Sequence, residues 1–158
     1  MSERQEFYSR IYRQGHLRPV PPSIDMKRAY QKKSESYIVS ARILFENGKL
    51  EEAVSMIYYS MFYMVLALFF RTGIKCENHS AAIYLLEDLY GLDNSAIIRA
   101  KSERIDKQYY IDFNLSREDV DEMMGEAYDF NAYIMDFTEK MKGREIENYR
   151  NMFLDLVR

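Results

Sequence analysis

At 158 residues, 47% of them apolar and 30% charged, the chain fits one domain, since two cores of half that size would each be marginal. Its net charge of −3 excludes a global attraction to nucleic acid or anionic lipid, so a polyanion has to meet a local basic patch. One cysteine, three prolines and six glycines exclude an internal disulfide, a paired-cysteine metal site and the turn-rich sequence of an all-β fold.

Residues 1–22 read as an N-terminal arm. Arg4, Arg10, Arg13 and Arg18 make it locally basic, suited to a surface role or to gripping a partner or a phosphate backbone. Glu6 to Arg13 suits a short helix, and Pro19, Pro21 and Pro22 hold an extended stretch after it. The start of the chain has no apolar run and is not expected to be a signal peptide.

A bundle over 23–143 follows. Ser23 or Asp25 caps its first helix, whose Tyr30, Tyr37, Ile38, Ala41, Leu44 and Phe45 share one face. Asn47-Gly48 ends it, and so short a connection makes the next helix antiparallel. That second helix runs from about Leu50 to Arg71 and is apolar nearly all round from Met56 to Phe70, the mark of a central position. Its apolar run is shorter than the roughly 20 residues a bilayer span takes, so no membrane role is expected. Gly73 stops it. Asn78 or Ser80 caps a third helix reaching Gly91, and a further helical stretch covers Asn94 to about Tyr110. Ser116, with Asp119 three residues on, opens the last long helix as a capping box; Gly143 breaks it. Over 144–158, Ile146, Tyr149, Phe153 and Leu156 recur at helical spacing, giving an amphipathic helix that docks on the bundle or on another chain. No stretch alternates long enough to demand a strand. The fold class is all-α: an antiparallel up-and-down bundle of four to five helices, with an arm and a short C-terminal helix.

Little catalytic chemistry is on offer. Two histidines and the single Cys76 cannot make a standard zinc site, no Glu is followed three residues later by His as a di-iron bundle requires, and the glycine-rich phosphate loops are missing. No metal or cofactor is expected, and Cys76 accords with a reducing cytoplasm. The acidic run Glu118, Asp119, Asp121, Glu122 falls in a first helical turn, where it complements the macrodipole. His79 is the exception. It stands beside Ser80 at a helix start, four residues after Lys75, where it either caps the helix with Asn78 or contacts a phosphate or a dimer partner.

Ala53-Val-Ser-Met-Ile-Tyr-Tyr-Ser-Met-Phe-Tyr63, then Gly73-Ile-Lys-Cys-Glu-Asn-His79-Ser80, then Arg104-Ile-Asp-Lys-Gln108-Tyr109 resemble three segments of one group of HEPN proteins, in the same order. The resemblance runs from about Tyr30 to Met141. It implies a bundle that forms a homodimer, in some relatives a toxin paired with a nucleotidyltransferase antitoxin, in many a ribonuclease. The ribonuclease signature is an arginine followed, after four to six residues, by histidine. Arg104 matches the arginine, but the histidine slot holds Tyr109, and a phenol titrates near 10, far from the neutral range of acid–base catalysis. Arg10 and His16 repeat the spacing, but in the arm. The resemblance therefore implies a catalytically impaired module that binds a nucleotidyltransferase partner, or RNA or a nucleotide through Lys75, His79, Ser80, Arg104 and Tyr109. Two alternatives stand beside it: a metal-independent ribonuclease using His79 with Arg104 in a rearranged site, and a purely structural interaction subunit.

Overall fold

The structure, a computed structural model, describes the backbone of residues 1–109 and 115–158 and the side chains of 1–104 and 115–158. Two long antiparallel helices carry it: α2 (Ile24–Glu46) and α3 (Leu50–Thr72). The extended Ser23 starts α2, its hydroxyl accepting the Met26 N–H at 3.1 Å. At the other end the Asn47 side chain donates to the Ile43 carbonyl at 2.7 Å, and Gly48 turns the chain with a left-handed φ of +74°, a conformation that costs glycine nothing. Three residues thus separate the helices, which lie against each other along their length. They approach closely where Ser34 meets Ser60. Each hydroxyl donates to the other's carbonyl, at 2.6 Å and 2.8 Å, so two small side chains satisfy each other in a buried seam.

By length and composition α3 could cross a membrane, but 78% of its most apolar stretch is buried inside the protein. Ile57, Tyr58, Met61, Leu68 and Phe69 are fully enclosed. Around it pack α2, α4 (His79–Asp88), α5 (Ser95–Tyr109) and α6 (Arg117–Lys140). Asn78 caps α4 by accepting the Ala81 N–H, and Ser116 with Asp119 forms both bonds of the capping box at α6. These five helices make the all-α bundle. Lys27, only 6% exposed, ties α2 to α6 through Glu139 at 2.8 Å, with Gln31 on the same carboxylate.

Two further helices flank it. In residues 1–22, α1 (Glu3–Arg13) starts earlier than the Glu6 expected, because Ser2 and Gln5 form a capping box. Its Tyr8 and Ile11, with Leu17, join the same core, and Tyr8 Oη donates to Asp88 at 2.7 Å. Leu17–Pro19 (β1) then pairs antiparallel with Ile74–Cys76 (β2), Leu17 opposite Cys76 and Pro19 opposite Ile74. No strand was expected there, since three residues are too few to show a period of two. Gly143, expected to break α6, instead opens the last helix, α7 (Gly143–Val157); α6 breaks at Met141, whose ψ of 129° is extended. Its buried face, Ile146, Phe153 and Val157, docks on the chain's own bundle.

Arg150 of α7 locks three segments together. Its Nη1 donates to the carbonyls of Val20 at 2.8 Å, Thr72 at 3.0 Å and Gly73 at 2.9 Å, neutralising the negative end of α3. Gly73 sits beneath it with φ of +79°, and a Cβ there would collide with the Arg150 guanidinium and the Val20 carbonyl. Gly73→Ala should therefore destabilise by more than the ~1 kcal/mol of a glycine in a merely strained turn. Thermal melts should also show that Arg150→Ala relieves only part of the difference, because the Val20 carbonyl and the positive φ remain; equal melting of wild type and Gly73→Ala would refute the lock.

Candidate functional site

One edge of α3 carries a run of aromatic side chains, Tyr58, Tyr59 and Phe62. Tyr58 and Phe62, four residues apart, stack along the helix with centroids 6.2 Å apart, as side chains at that spacing do. Both are buried, while Tyr59 beside them is half exposed. Because Asn78 alone caps α4, the next residue, His79, is free to reach inward. Its imidazole lies flat on Phe62, centroids 3.9 Å apart and planes 14° apart, and its Nδ1 stands 2.8 Å from Tyr58 Oη.

From the other side α5 brings two cations one turn apart. Lys101 Nζ donates to Ser80 Oγ at 2.8 Å. Arg104 Nη2 donates to Tyr59 Oη at 3.1 Å, and its guanidinium carbon lies 4.9 Å from the Tyr59 ring centroid and 5.5 Å from that of Tyr58. Its Nε is buried with no hydrogen-bond partner among the described residues. Nor, among the described residues, does a carboxylate form an ion pair with Lys101 or Arg104.

The titrations follow from this arrangement. Burial holds the His79 pKa below its ordinary 6.5, and the charges of Lys101 and Arg104 lower it further. Burial and then Arg104 lower the Lys101 ammonium as well. The Tyr58 phenol is pushed up, chiefly by burial. Burial and the neighbouring charges thus favour a neutral imidazole at His79 beside the Lys101 and Arg104 cations, an arrangement whose electrostatics suit an anion.

Of the residues read from the sequence, His79, Ser80 and Arg104 come together here. Lys75 does not join them. It sits on β2 and pairs with Glu77 at 3.4 Å, the same carboxylate that lies 3.3 Å from His16 Nδ1. Arg10 stacks over Phe7 on α1, away from His16, so that pair forms no site. The Tyr109 side chain lies outside the described residues. Lys101 had not been singled out, although its position three residues before Arg104 was the available signal: it puts both on one helix face.

Among the described residues, seven helices around one buried hairpin, with a basic and aromatic cluster at the α3–α4–α5 junction and no group that could hold a metal ion, define an all-α helical protein. The model of the HEPN domain family matches residues 28–141, taking in most of α2 and every member of the cluster. This chain belongs to the HEPN domain family. It is also 44% identical over 50 residues to a UPF0332 protein of Pyrococcus horikoshii, covering 32% of this chain and 35% of that one. A UPF0332 protein of Thermotoga maritima is 32% identical over 54 residues, covering 34% and 41%. The matches thus span little more than a third of these relatives' length.

The low pKa of His79 has a measurable consequence. The unfolded chain binds a proton at this ring near 6.5 and the folded chain only lower, so the ring's contribution to stability is complete above 6.5 and is lost as pH falls through 6.5 towards the folded value. Ring proton shifts, assigned with His79→Asn, should titrate below 6.5, and Lys101→Met should move the midpoint upward. A midpoint at 6.5 or above would contradict the burial and the cation pair.

Proposed function

We propose that this HEPN chain binds a phosphate-bearing ligand, RNA or a free nucleotide, in the cluster of Tyr58, Tyr59, His79, Ser80, Lys101 and Arg104, and holds it without cutting. The observation that carries this reading is the cation pair. Lys101 and Arg104 stand together, half buried, with no carboxylate paired to either among the described residues. Like charges so placed repel each other, and an anion removes the cost. Guanidinium matches phosphate oxygens with its fork of N–H donors, and the Tyr59 hydroxyl and ring beside it fix the guanidinium in place. Cleavage needs more than this. The histidine slot of the ribonuclease signature holds Tyr109, and general acid–base help is worth about 10²–10⁴-fold.

A second reading is favoured by one distance. His79, neutral and hydrogen-bonded to Tyr58 at 2.8 Å, shares the cluster with Arg104, and a neutral imidazole is a competent base. On that reading the chain is a metal-independent ribonuclease with a relocated histidine. Incubation with labelled single-stranded RNA separates the two, with Arg104→Ala, His79→Ala and His16→Ala in parallel. Intact RNA, bound by wild type and roughly tenfold or more weaker in Arg104→Ala, is expected, a loss of about 1.4 kcal/mol or more. Metal-independent cleavage lost in both Arg104→Ala and His79→Ala establishes the ribonuclease; loss only in His16→Ala moves the site to the arm.

We propose further that the working form is a homodimer. Val39 and Ile43 on α2 lie exposed near Tyr128 of α6, whose hydroxyl accepts from Arg42, and this open apolar surface supports pairing. Light scattering at tens of micromolar should report a dimer, and Ile43→Glu a monomer; a wild-type monomer overturns it.

A further inference from the structure

We propose that the junction of α1 and α7 docks an acidic peptide segment of a partner protein, one in which carboxylates flank an apolar side chain. This surface shares no residue with the α3–α4–α5 cluster and stands whatever that cluster binds. A groove of about 540 Å³ opens there, lined by Ser9, Arg10, Tyr12 and Arg13 of α1 and by Val157 and Arg158 at the end of α7. Its volume falls within the roughly 300–1,000 Å³ of ligand sites. Arg10 and Arg13, three residues apart, are neighbours on the helix face, and Arg158 comes from the other helix. All three are exposed, and Arg10 is held over the half-buried Phe7 ring at 5.5 Å. Among the described residues none of the three forms an ion pair, not even with Glu6, the acidic side chain in the same lining.

Ser9 supplies an observation independent of charge. It is only 6% exposed, and its buried hydroxyl has no hydrogen-bond partner among the described residues. A helical hydroxyl shut off from water ordinarily bonds a carbonyl one turn back, as Thr138 does to Ile134 at 2.7 Å. The Ser9 hydroxyl does not, and an unmet polar group of this kind costs stability that a ligand carbonyl or N–H would return. The remaining lining decides the class of ligand. Nucleic-acid affinity accumulates over many phosphate contacts at once, and three arginines on a chain of net charge −3 offer few. A short peptide needs less. Its carboxylates meet the guanidinium forks, its apolar side chain lies against Val157 and the half-buried Tyr12 ring, and its backbone reaches the Ser9 hydroxyl. Arginine and tyrosine are also the residues that most often carry the energy of protein interfaces.

The test is anisotropy on the full chain with three labelled probes: a short peptide of Glu and Leu spaced by Gly and Ser, its twin with Gln for Glu, and a single-stranded RNA of similar length. The Glu peptide should bind, and its Gln twin about tenfold or more weaker, equivalent to about 1.4 kcal/mol. Arg13→Ala should weaken the Glu peptide by about the same factor, and Arg13→Lys should restore part of it. Ser9→Ala should weaken it about threefold while melting no lower than wild type, because the hydroxyl it removes has no partner in the free chain. No binding of the Glu peptide, equal binding of the two peptides, or equal binding of the Glu peptide by wild type and Arg13→Ala overturns the proposal. Ser9→Ala that melts lower and binds unchanged makes Ser9 a packing residue and removes it from the site. RNA binding that falls in Arg13→Ala, with the Glu peptide unbound, makes the groove a nucleic-acid surface and overturns the acidic-peptide assignment.

Discussion

Everything in this fold answers to the enclosure of α3. A helix apolar on nearly every face cannot be left beside water, at about 25 cal/mol for each Å² of apolar surface, so it has to be wrapped. Four helices of the bundle and the docked α7 do so. The seam with α2 can close only because Ser34 and Ser60 are small and pair reciprocally; larger residues would push the hairpin apart and leave two carbonyls with altered partners. The same requirement explains the ends of the chain. The C-terminus of α3 presents carbonyls without helical partners, and Arg150 and the strand Leu17–Pro19 converge on that end. What looks in sequence like an arm and a tail is the closure of the central helix.

That enclosure has one soft place, and the cluster occupies it. At this edge of α3, Tyr58, Tyr59 and Phe62 supply ring faces and hydroxyls to groups a purely aliphatic helix could not tolerate. A half-buried guanidinium there keeps ring contact on two sides and one phenol oxygen as acceptor, and its buried Nε has no partner among the described residues. The imidazole keeps its place by stacking on Phe62 and so needs no charge. Stability alone would have favoured a carboxylate between Lys101 and Arg104. Among the described residues no carboxylate pairs with either cation, and shifted titrations of the kind His79 and Lys101 show are more frequent at functional sites than elsewhere.

How much of this was legible in the sequence depended on the range of the physics involved. Ser23, Asn78 and Ser116 act on backbone groups two or three residues away, and Gly48 and Gly73 on their own φ, so the helix limits they set could be read locally. The break at Met141 could not. Glycine is the usual terminator and Gly143 stood nearby, but the chain turns at an extended methionine whose side chain is buried, a tertiary preference with no local mark. Among site residues, His79 and Arg104 were visible through the motif they resemble. Lys75 was drawn in by its nearness to His79 in sequence. A strand of three residues alternates, though, and with Ile74 and Cys76 turned into the core Lys75 is left facing Glu77. Lys101 suffered the opposite error: a lysine on a polar helix reads as solvated until α5 is packed against α4.

The departure at Tyr109 and the presence of His79 belong to one argument about what survives when a catalytic pair is broken. Acid–base chemistry needs a base placed within about 3 Å of the proton it moves, so on the proposed reading Tyr109 in the histidine slot leaves that chemistry without its usual group. Phosphate binding is more forgiving, because charge and donor number act over longer distances than proton transfer. Arg104 keeps its value whether or not chemistry follows. His79 enters from another helix, held by Tyr58 and by the face of Phe62 in an orientation that burial makes neutral. A neutral imidazole beside two cations adds a donor or an acceptor without adding to their repulsion, and an anion bound as proposed would favour its protonation. On that reading ligand charge and His79 protonation are coupled, because each negative charge brought near the ring offsets the cations that hold its pKa down.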